Sequence, residues 1–308
     1  MTNKSTVSIV ITTYYRNDTL ERAVESCLAQ TCDPIEVIVV DDSGERHAAD
    51  VCAQWDVLDV FPLGTDVEYV PHSQNKGQIA AWHTGFDTAS GEYVQFLDDD
   101  DELSEEKITK QVALLESSEC VGAVGCGIEW DFGATSLPDE RLRENPLEQA
   151  LMFQTFPCTT STLLFDRAIL EDVLPLKEYR GATDLTLWIE FASRTSFDYI
   201  NEALVRRRSD GYSKGESWDA VEARQEMVDD YAHLYDEVPD DIRKRAKGEI
   251  YLKVGHRLLD ERIWSLKAII SFVRSYYYAP SGQSFKLALL SLLGRYGRVA
   301  GRKVSQIG

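Results

Sequence analysis

In Tyr93-Val94-Gln95-Phe96-Leu97-Asp98-Asp99-Asp100-Asp101-Glu102, a short apolar run of β type ends abruptly in four consecutive aspartates. Adjacent carboxylates repel one another, so four of them after a buried strand are unfavourable unless a cation binds them. Mg²⁺ and Mn²⁺ take oxygen ligands from one or two carboxylates and from substrate phosphates. The stretch therefore predicts a metal site for a phosphorylated ligand. The alternative is an acidic turn, or an acidic cap for a helix that begins near Ser104.

Two earlier apolar runs are typical of strands covered on both faces of a sheet. Val7–Thr13 is β-branched and uncharged, and residues 35–40 lead into Asp41-Asp42-Ser43-Gly44. Between the two runs, Asn17 and Asp18 offer N-caps for an amphipathic helix. Its predicted apolar face consists of Leu20, Ala23, Val24, Cys27 and Leu28. Strand, helix and strand at this spacing predict a right-handed βαβ unit and hence a parallel sheet.

The same alternation leads up to the aspartates. Residues 67–70 are predicted as a further strand, residues 75–77 as a loop, and a helix is predicted through Ala80, Ala81 and Phe86. Ligands of open α/β sheets bind at the carboxyl ends of the strands. Four polar segments are predicted at that edge: residues 12–14, 41–44, 75–77 and 98–101. Neither a G-x-G-x-x-G sequence nor a P-loop lysine follows the first strand, so a metal would have to neutralise bound phosphates.

Composition indicates a folded protein with an unusual surface. The 308 residues are 44% hydrophobic, and 32 basic residues stand against 52 acidic ones, which gives a net charge of -20. Only 12 of the basic residues are lysine. Such a surface argues against nucleic acid as a partner, because both molecules would be negatively charged. It predicts adaptation to high salt, and hence a halophilic source.

Positive charge is concentrated toward the C-terminus, where residues 243–308 include 14 basic and 3 acidic side chains. The helical spacing of apolar residues predicts an appendage, residues 241–308, that follows a domain of residues 1–240. Basic side chains interspersed with Trp264, Tyr277 and Tyr296 suit the boundary of an anionic bilayer. The alternative is a helical appendage packed on the first domain or on a second subunit.

The chain begins with the polar residues Met1-Thr2-Asn3-Lys4, and its six cysteines include no C-x-x-C pair. These features predict a cytoplasmic protein with reduced cysteines and no signal peptide. No apolar run approaches the roughly 18 residues that a membrane-spanning helix needs. Membrane contact is therefore predicted to be peripheral, at the inner face.

Four segments resemble, in order and spacing, the successive motifs of family 2 glycosyltransferases, which have the GT-A fold. They are residues 7–30, Val39 with Asp41-Asp42-Ser43, Asn75-Lys76-Gly77 with Gly85, and residues 91–101. The resemblance spans residues 5–215. It implies an α/β fold in which a Rossmann-like, mostly parallel sheet is flanked by helices and followed by a C-terminal helical appendage.

The resemblance implies that a nucleotide-diphosphate sugar lies across the strand ends. By position, Thr12 and Tyr14 would hold the base, and Asp41 or Asp42 would accept a hydrogen bond from the base imide. For a bulky aromatic residue such as Tyr14, packing in the core is the alternative.

The aspartate run would form the D-x-D site of the family. Asp98 and Asp99 would contact the nucleotide, and Asp98 and Asp100 would bind a divalent metal, Mn²⁺ or Mg²⁺. Asn75 and Gly77 would complete the nucleotide site, with an ordinary turn as the alternative for this loop.

A second chemical centre is predicted in residues 181–189, where family members usually have Glu-Asp followed by Leu-Trp. This chain has Thr183 in place of the first acid but retains Asp184 and Trp188. The resemblance makes Asp184 the candidate general base of an inverting transfer and Trp188 a possible sugar contact. The alternative is that Asp184 caps the following helix.

Residues 204–213 resemble a flexible segment that often carries a metal-contacting histidine. Ser209 stands at that position here, so Arg207 or Arg208 would bind the diphosphate or a sugar carboxylate instead. Solvated arginines are the alternative. Before this segment, residues 137–145 are predicted as a loop and residues 157–165 as a strand.

Together these features predict a metal-dependent inverting glycosyltransferase with a nucleotide-sugar donor, UDP-linked by resemblance. Its acceptor is predicted to be a lipid-linked glycan, of the dolichol-phosphate type used in protein N-glycosylation if the source is a halophilic archaeon. The alternatives are a transferase for exopolysaccharide or cell-surface polysaccharide, and a non-catalytic subunit that binds nucleotide sugars.

Overall fold

The structure is a computed structural model that describes residues 7–32, 34–54, 66–118, 120–208 and 217–296. The chain divides into two compact units. The first comprises Met1–Pro146, Thr155–Glu178 and Thr186–Asp210, and the second comprises Leu147–Gln154, Tyr179–Leu185 and Gly211–Gly308. The boundary predicted between residues 240 and 241 is not tested by this division and remains a prediction.

All strands of the described residues lie in the first unit. They are β1 (Val7–Thr13), β2 (Ile35–Asp41), β3 (Asp66–Pro71), β4 (Tyr93–Asp98), β5 (Glu102–Leu103), β6 (Val121–Trp130), β7 (Thr135–Ser136), β8 (Leu164–Asp166) and β9 (Ser196–Arg207). The helices up to the end of the sheet are α1 (Asn17–Leu28), α2 (Ala49–Ala53), α3 (Gln78–Thr88), α4 (Lys107–Glu116), α5 (Arg141–Glu144), α6 (Pro146–Leu151), α7 (Arg167–Val173) and α8 (Thr183–Ala192). A 3-10 turn occupies Thr160–Thr162.

The first half of the sheet is parallel, with strand order β3-β2-β1-β4. The predicted βαβ repeats are thereby confirmed. The chain runs from β1 outward to β3 and then returns to the other side of β1 with β4. This reversal makes the carboxyl ends of β1 and β4 the topological switch point, where open α/β sheets bind ligands.

The second half of the sheet is mixed. Strand β8 is antiparallel to both β4 and β6, whereas β9 runs parallel to β6 and antiparallel to β5. The short β7 forms a hairpin with β6. Because β9 pairs with β6 along most of its length, the carboxyl ends of these two strands lie side by side.

Helices pack closely on the parallel strands. The predicted apolar face of α1 is buried along its length. In α3, a side chain at Gly85 would place its Cβ 2.1 Å from Cγ1 of Val10, so only glycine allows this helix to approach β1 so closely.

A fully buried lysine links α4, β4 and the 3-10 turn. Lys107 donates hydrogen bonds to Oε1 of Gln95 and, at 2.6 Å, to Oε1 of Gln111. Gln95 Nε2 donates to carbonyl oxygens of the Thr160–Thr162 turn at 3.1 and 3.2 Å, and Gln111 Nε2 donates to another at 2.9 Å. The amide groups satisfy carbonyls that a strand would have paired with backbone.

This network explains one correction to the sequence-based prediction. Residues 157–165 were expected to form one strand, but only Leu164–Asp166 does so. Residues 160–162 are a 3-10 turn because glutamine side chains from neighbouring elements take their carbonyls.

Two element boundaries and one cap also differ from expectation. Helix α4 begins at Lys107, since Glu102–Leu103 pairs with β9 as β5. Residues 137–145, expected to be a loop, contain the one-turn helix α5. Arg16 occupies the N-cap of α1 without a side-chain cap bond, because Asn17 bonds instead to His47.

In the second unit the chain is helical beyond the sheet. Its helices are α9 (Trp218–Asp230), α10 (Ala232–Tyr235), α11 (Asp240–Glu261), α12 (Leu266–Tyr278) and α13 (Gly282–Leu290), followed by a 3-10 turn at Ser291–Leu293. Leu259, Ala268 and Phe272 form a small core between α11 and α12. A Cβ at Gly255 would lie 2.8 Å from the Phe272 ring, so glycine permits this contact.

Exposed apolar side chains are concentrated in and around these last helices. Of the 17 exposed large hydrophobic side chains in the described residues, twelve lie between Ile263 and Tyr296. Within the part of the chain that the structure describes, none of the helices has the length and apolar character needed to cross a bilayer.

Candidate active site

The strand ends of the parallel half bring the predicted site residues of the first unit to one edge. Thr12 in β1 pairs in register with Asp98 in β4, and Thr13 pairs with Asp41 in β2. The polar segments that follow these strands therefore meet at the switch point of the sheet.

The four consecutive aspartates divide into two sets. Carboxylate oxygens of Asp98, Asp100 and Asp101 lie within 4.8 Å of one another, which is the spacing of a candidate metal site. Asp99 points elsewhere and accepts a hydrogen bond of 2.7 Å from Oγ1 of Thr13. The predicted pair Asp98 and Asp100 thus lies in one cluster, and the structure adds Asp101 to it.

Two arginines form ion pairs with the four aspartates, one from a segment before them in the sequence and one from a segment after them. Arg207, at the end of β9, contacts Asp101 at 2.7 Å and Asp98 at 3.4 Å. Arg16, after β1, contacts Asp99 at 3.3 Å and forms an ion pair with Asp100. Arg207 is therefore not merely solvated, which removes that alternative for this residue.

Burial and mutual repulsion make ionisation of the aspartates unfavourable. Burial, with the neighbouring Asp101 carboxylate, raises the pKa of Asp98 to about 7, although Arg207 opposes the rise. Burial also raises the pKa of Asp99 to about 6, against the Thr13 hydrogen bond and the charge of Arg16. Four carboxylates face two guanidinium groups, so the oxygen donor set suits a hard divalent cation.

Aromatic side chains stand beside this cluster at the end of β1. Tyr14 is 53% exposed, so packing in the core does not account for it. Its ring contacts Tyr15 edge to face at 4.8 Å, and Tyr15 adopts a positive φ of 56°. Such a backbone conformation is unfavourable for a bulky residue and occurs frequently at functional sites.

Asp41 and Asp42 each organise a loop at the same edge. Asp41 accepts hydrogen bonds from the backbone N–H groups of Ser43 and Ala48, both at 2.9 Å, and these bonds keep its pKa low although burial opposes them. Asp42 accepts from the N–H groups of Lys76 and Gly77, both at 2.8 Å. The predicted loop of Asn75 and Gly77 is thus fixed to β2 by Asp42, and Asn75 itself is exposed.

Asp184 lies in the second unit, in the first turn of α8. This position is consistent with a helix cap, because a carboxylate is favourable at a helix N-terminus, and it does not conflict with the predicted role as general base. In the same unit, burial lowers the pKa of Arg224, and the negative charges of Asp184 and Glu249 oppose this. The half-buried Asp184 carboxylate therefore has a buried cation in its surroundings.

The structure corrects one predicted ligand contact. Trp188 is 2% exposed, its ring stacks on Phe197 at 4.1 Å, and its indole N–H donates to the carbonyl of Cys158 at 2.7 Å. It is a core residue, and the apolar neighbours on α8 explain why. Arg208 is exposed at the end of the described segment, and Ser209 lies outside the described residues.

Three residues of the site were not singled out from the sequence: Thr13, Arg16 and Asp101. Thr13 lies in the predicted edge segment 12–14, but the sequence assigned it no role, because its bond to Asp99 is a tertiary contact. Arg16 follows the end of β1 by three residues, and a basic side chain so close to the predicted ligand edge was the available signal. Asp101 lies one residue beyond the D-x-D spacing.

Comparison with known proteins agrees with this architecture. The sequence profile described as glycosyl transferase family 2 matches residues 8–174. A putative teichuronic acid biosynthesis glycosyltransferase, TuaG of Bacillus subtilis, is 31% identical over 215 residues, which cover 68% of this chain and 81% of TuaG. The UDP-Glc:alpha-D-GlcNAc-diphosphoundecaprenol beta-1,3-glucosyltransferase WfaP of Escherichia coli is 28% identical over 61% of this chain and 70% of its own.

Solved structures show the same fold at low identity. S. aureus TarS 1-349 superposes with a TM-score of 0.64 at 15% identity, over 96% of this chain and 88% of that one. The mannosyltransferase PcManGT of Pyrobaculum calidifontis, solved with GDP-Man and Mn²⁺, gives 0.61 at 19% identity, over 98% and 84%. The predicted GT-A architecture is confirmed. The chain spans 53% and 34% of the length of two further curated relatives, glycosyltransferases of Nostoc and Rickettsia conorii.

Proposed function

Since the chain belongs to glycosyl transferase family 2, we propose that it moves a sugar from a nucleotide-diphosphate donor to an acceptor hydroxyl, with inversion at the anomeric carbon. The observation that supports this most directly is the carboxylate cluster of Asp98, Asp100 and Asp101 at the sheet's switch point. Sugar nucleotides carry two phosphates, and such a cluster can bind them only through a cation.

In this proposal the nucleotide lies along the edge formed by β1, β2 and β4. The exposed ring of Tyr14 and the backbone near Thr12 contact the base. Asp41 or Asp42 accepts a hydrogen bond from the base, while Asp42 fixes the loop of Asn75 and Gly77 through the N–H groups of Lys76 and Gly77. Asp99, which accepts a hydrogen bond from Thr13, is the second proposed nucleotide contact of the aspartate run.

The three clustered carboxylates fit a divalent cation, Mn²⁺ or Mg²⁺, with Asp98 and Asp100 as its predicted ligands. When bound, such a cation would neutralise the negative charge that develops on the departing diphosphate. Arg207 holds Asp101 and Asp98, and with Arg208 it is a candidate contact for phosphate oxygens.

Asp184 is proposed as the general base. In an inverting transfer the acceptor oxygen forms a bond to the anomeric carbon on the face opposite the diphosphate, whose bond to that carbon breaks. The proton of the acceptor hydroxyl passes to the Asp184 carboxylate. Thr183 in place of the usual first acid leaves Asp184 as the carboxylate available on this turn.

We propose a lipid-linked glycan as the acceptor. The relative WfaP, by its name, acts on a sugar attached to diphosphoundecaprenol, which supports an acceptor of this kind. The net charge of -20 favours a halophilic source, and in a haloarchaeon the lipid would be a dolichol phosphate used for protein N-glycosylation. The enzyme would then work at the cytoplasmic face of the membrane.

Peripheral membrane contact through the C-terminal region is part of this proposal. Residues 262–308 contain no acidic side chain, although the whole chain is strongly acidic. The twelve exposed hydrophobic side chains between Ile263 and Tyr296 lie in this same segment. The negative headgroups of an anionic bilayer would attract the basic side chains, and its apolar interior would accommodate the hydrophobic ones.

A second candidate is assembly of a cell-surface polysaccharide. The similarity to TuaG, named for teichuronic acid biosynthesis, favours it. A non-catalytic subunit that binds nucleotide sugars would have the same cluster but no base. The two catalytic candidates share donor chemistry and differ only in the acceptor.

Calorimetry with a panel of UDP- and GDP-sugars at high salt, with Mn²⁺ and then with chelator, tests the donor site. We expect one donor to bind only with metal, and Asp100→Ala to remove that binding. Failure of every donor to bind in the presence of Mn²⁺ would argue against the proposed function.

A pair of variants separates catalysis from binding. Asp184→Asn should abolish transfer while donor affinity stays within about twofold, because the base acts on the acceptor proton. Asp172→Asn, an exposed carboxylate on α7, is the matched control and should leave transfer unchanged. Unchanged transfer by Asp184→Asn would remove Asp184 from the mechanism.

A further inference from the structure

Three aromatic rings form an exposed array in the first unit. Phe132 is 67% exposed and Phe156 is 56% exposed, and both lie nearly parallel to the half-buried indole of Trp130. The centroid separations from Trp130 are 6.0 and 6.3 Å, with interplanar angles of 19° and 25°. At such separations parallel rings are offset, so ring faces remain accessible. We call Trp130, Phe132 and Phe156 the aromatic platform.

The hairpin between β6 and β7 holds the platform in place. Trp130 N–H donates to the carbonyl of Ala134 and Gly133 N–H donates to that of Trp130, both at 2.8 Å. Gly133 has a φ of +84°, as glycine has in short hairpin turns. The indole N–H of Trp130 donates to Oγ of Ser136 at 3.1 Å, which fixes the ring. Phe132 is thus held at a hairpin tip, where polar residues are the rule.

Arg207 connects the platform to the acidic cluster. Trp130 pairs in register with Arg207 across β6 and β9, and Asp131 N–H donates to the Arg207 carbonyl at 3.0 Å. Arg207 in turn contacts Asp98 and Asp101. The paired residues Trp130 and Arg207 therefore link the exposed rings to the carboxylates that are proposed to hold the donor.

We propose that the aromatic platform binds a pyranose ring of the acceptor glycan by stacking. A sugar ring has an apolar face of C–H groups and an edge of hydroxyls, so it suits a flat aromatic surface with polar neighbours. Asp131 is exposed beside the platform, and Glu129 lies near Arg206 on the adjacent strand. These side chains offer acceptors and donors to hydroxyls at the rim.

This inference rests on the proposed function, because only a glycosyl transfer requires an acceptor sugar next to the donor site. The position of the platform favours a sugar over a lipid chain. It is a small array with charged residues on the same hairpin, whereas the extended apolar surface of this chain lies between Ile263 and Tyr296. Exposed apolar side chains that contact one another commonly mark a binding site.

The first test measures sugar binding directly, without a donor. Saturation-transfer NMR with the methyl glycosides of glucose, mannose, galactose and N-acetylglucosamine reports contact with aromatic protons. We expect signal for at least one glycoside, and Phe132→Ala and Phe156→Ala should each weaken its affinity by about threefold to tenfold, the range of an aromatic contact. Binding that both variants leave unchanged would overturn the proposal, as would no signal for any glycoside.

Matched variants separate stacking from general hydrophobicity. Phe132→Trp keeps an aromatic face and should retain affinity, whereas Phe132→Leu keeps the apolar character and should lose it. Leu137→Ala, an exposed apolar residue just after β7, is the control and should have no effect. Equal loss with Phe132→Leu and Leu137→Ala would show that the platform does not act through its rings.

The outcome can be told apart from failure of the proposed function. In transfer assays the platform variants should raise the acceptor KM and leave the donor KM unchanged. If donors bind with Mn²⁺ but the platform variants leave glycoside affinity and acceptor KM unchanged, only the platform is refuted. If no donor binds while the glycoside signal depends on Phe132, the proposed transfer fails and a carbohydrate site remains.

Discussion

The pKa of Asp98 sets a pH dependence for the candidate metal site. Because burial and Asp101 raise this pKa to about 7, a proton competes with a cation for the carboxylate below that pH. We expect Mn²⁺ affinity, measured by calorimetry, to increase as the pH rises from about 5.5 to about 8. Through Asp98, the apo protein should lose stability as the pH rises from about 4 to about 7, because the folded state then binds a proton that the unfolded chain has released.

Arginine variants check the origin of this dependence. Arg207 lowers the pKa of Asp98, so Arg207→Leu should move the midpoint of Mn²⁺ binding to higher pH. Arg22→Leu is the control, since Arg22 pairs with Glu102 at 3.4 Å and does not contact the cluster. A midpoint that is the same in wild type and Arg207→Leu would contradict the assigned role of Arg207.

Buried Lys107 gives a second pH-dependent prediction at the scale of one residue. Burial lowers its pKa to about 8 from 10.5, so between these values the unfolded chain binds more protons. Stability contributed through Lys107 therefore rises with pH over this interval. Relative to Lys107→Met, the free energy of unfolding of the wild type should gain on the order of 3 kcal/mol between pH 7.5 and pH 10.5.

Urea unfolding at several pH values measures this gain, and Lys110→Met is the matched control on the same helix. Glu202 and Glu106 raise the pKa of Lys110, which is the opposite perturbation. The difference between wild type and Lys110→Met should accordingly show no gain with pH. A flat difference for Lys107→Met would mean that burial does not lower the pKa of Lys107.

At the residue scale, the sequence identified the ligand edge but not the partners of its side chains. The aspartate run and Tyr14 were recognisable because charge and bulk at a strand end are unusual. The split of Asp99 from the metal cluster depends on a contact with Thr13, 86 positions away. Trp188 shows the same limit, because sequence cannot tell an aromatic residue facing a ligand from one facing the core.

At the scale of elements, strands and helices with a clear hydrophobic period were predictable. The βαβ repeats through β4 and the three last helices are examples, since burial of one face determines both pattern and structure. Residues 157–165 were not, because the choice between strand and 3-10 turn was made by Gln95 and Gln111 from other elements. Such tertiary hydrogen bonds leave no local signal.

The helices α12 and α13, with the 3-10 turn at Ser291–Leu293, carry the prediction of membrane contact. We expect the protein to float with vesicles that contain anionic lipid, and to float less when Leu289, Leu292 and Leu293 are replaced by serine. These three side chains are more than half exposed, so the replacement removes apolar surface without emptying a core. Flotation on a density gradient is the measurement.

Two comparisons make the flotation result specific. Leu137→Ser, an exposed leucine outside these helices, should float like the wild type. In molar salt the Debye length falls to about 3 Å, so attraction to headgroups weakens and the apolar contribution remains. Unchanged flotation of the triple serine variant would favour a partner protein or a second subunit as the occupant of this surface.

At the scale of the whole molecule, a strongly acidic part of the chain is followed by a basic C-terminal part. The net charge is -20, yet residues 243–308 hold 14 basic and 3 acidic side chains. Self-repulsion in the acidic part opposes the compact state, and few of its carboxylates can be paired, because basic residues are scarce there. Salt should therefore matter more to this protein than to a neutral one of equal size.

We expect the free energy of unfolding to rise when KCl is increased from about 0.1 M to about 1 M, because the Debye length shrinks from about 10 Å to about 3 Å. The sign follows from the net charge, since screening relieves repulsion mainly in the compact state. Repeating the titration near pH 4.6, where the net charge vanishes, should abolish most of the gain. A gain that is equal at both pH values would attribute the salt effect to general strengthening of hydrophobic burial, and would remove the acidic surface as evidence for a halophilic source.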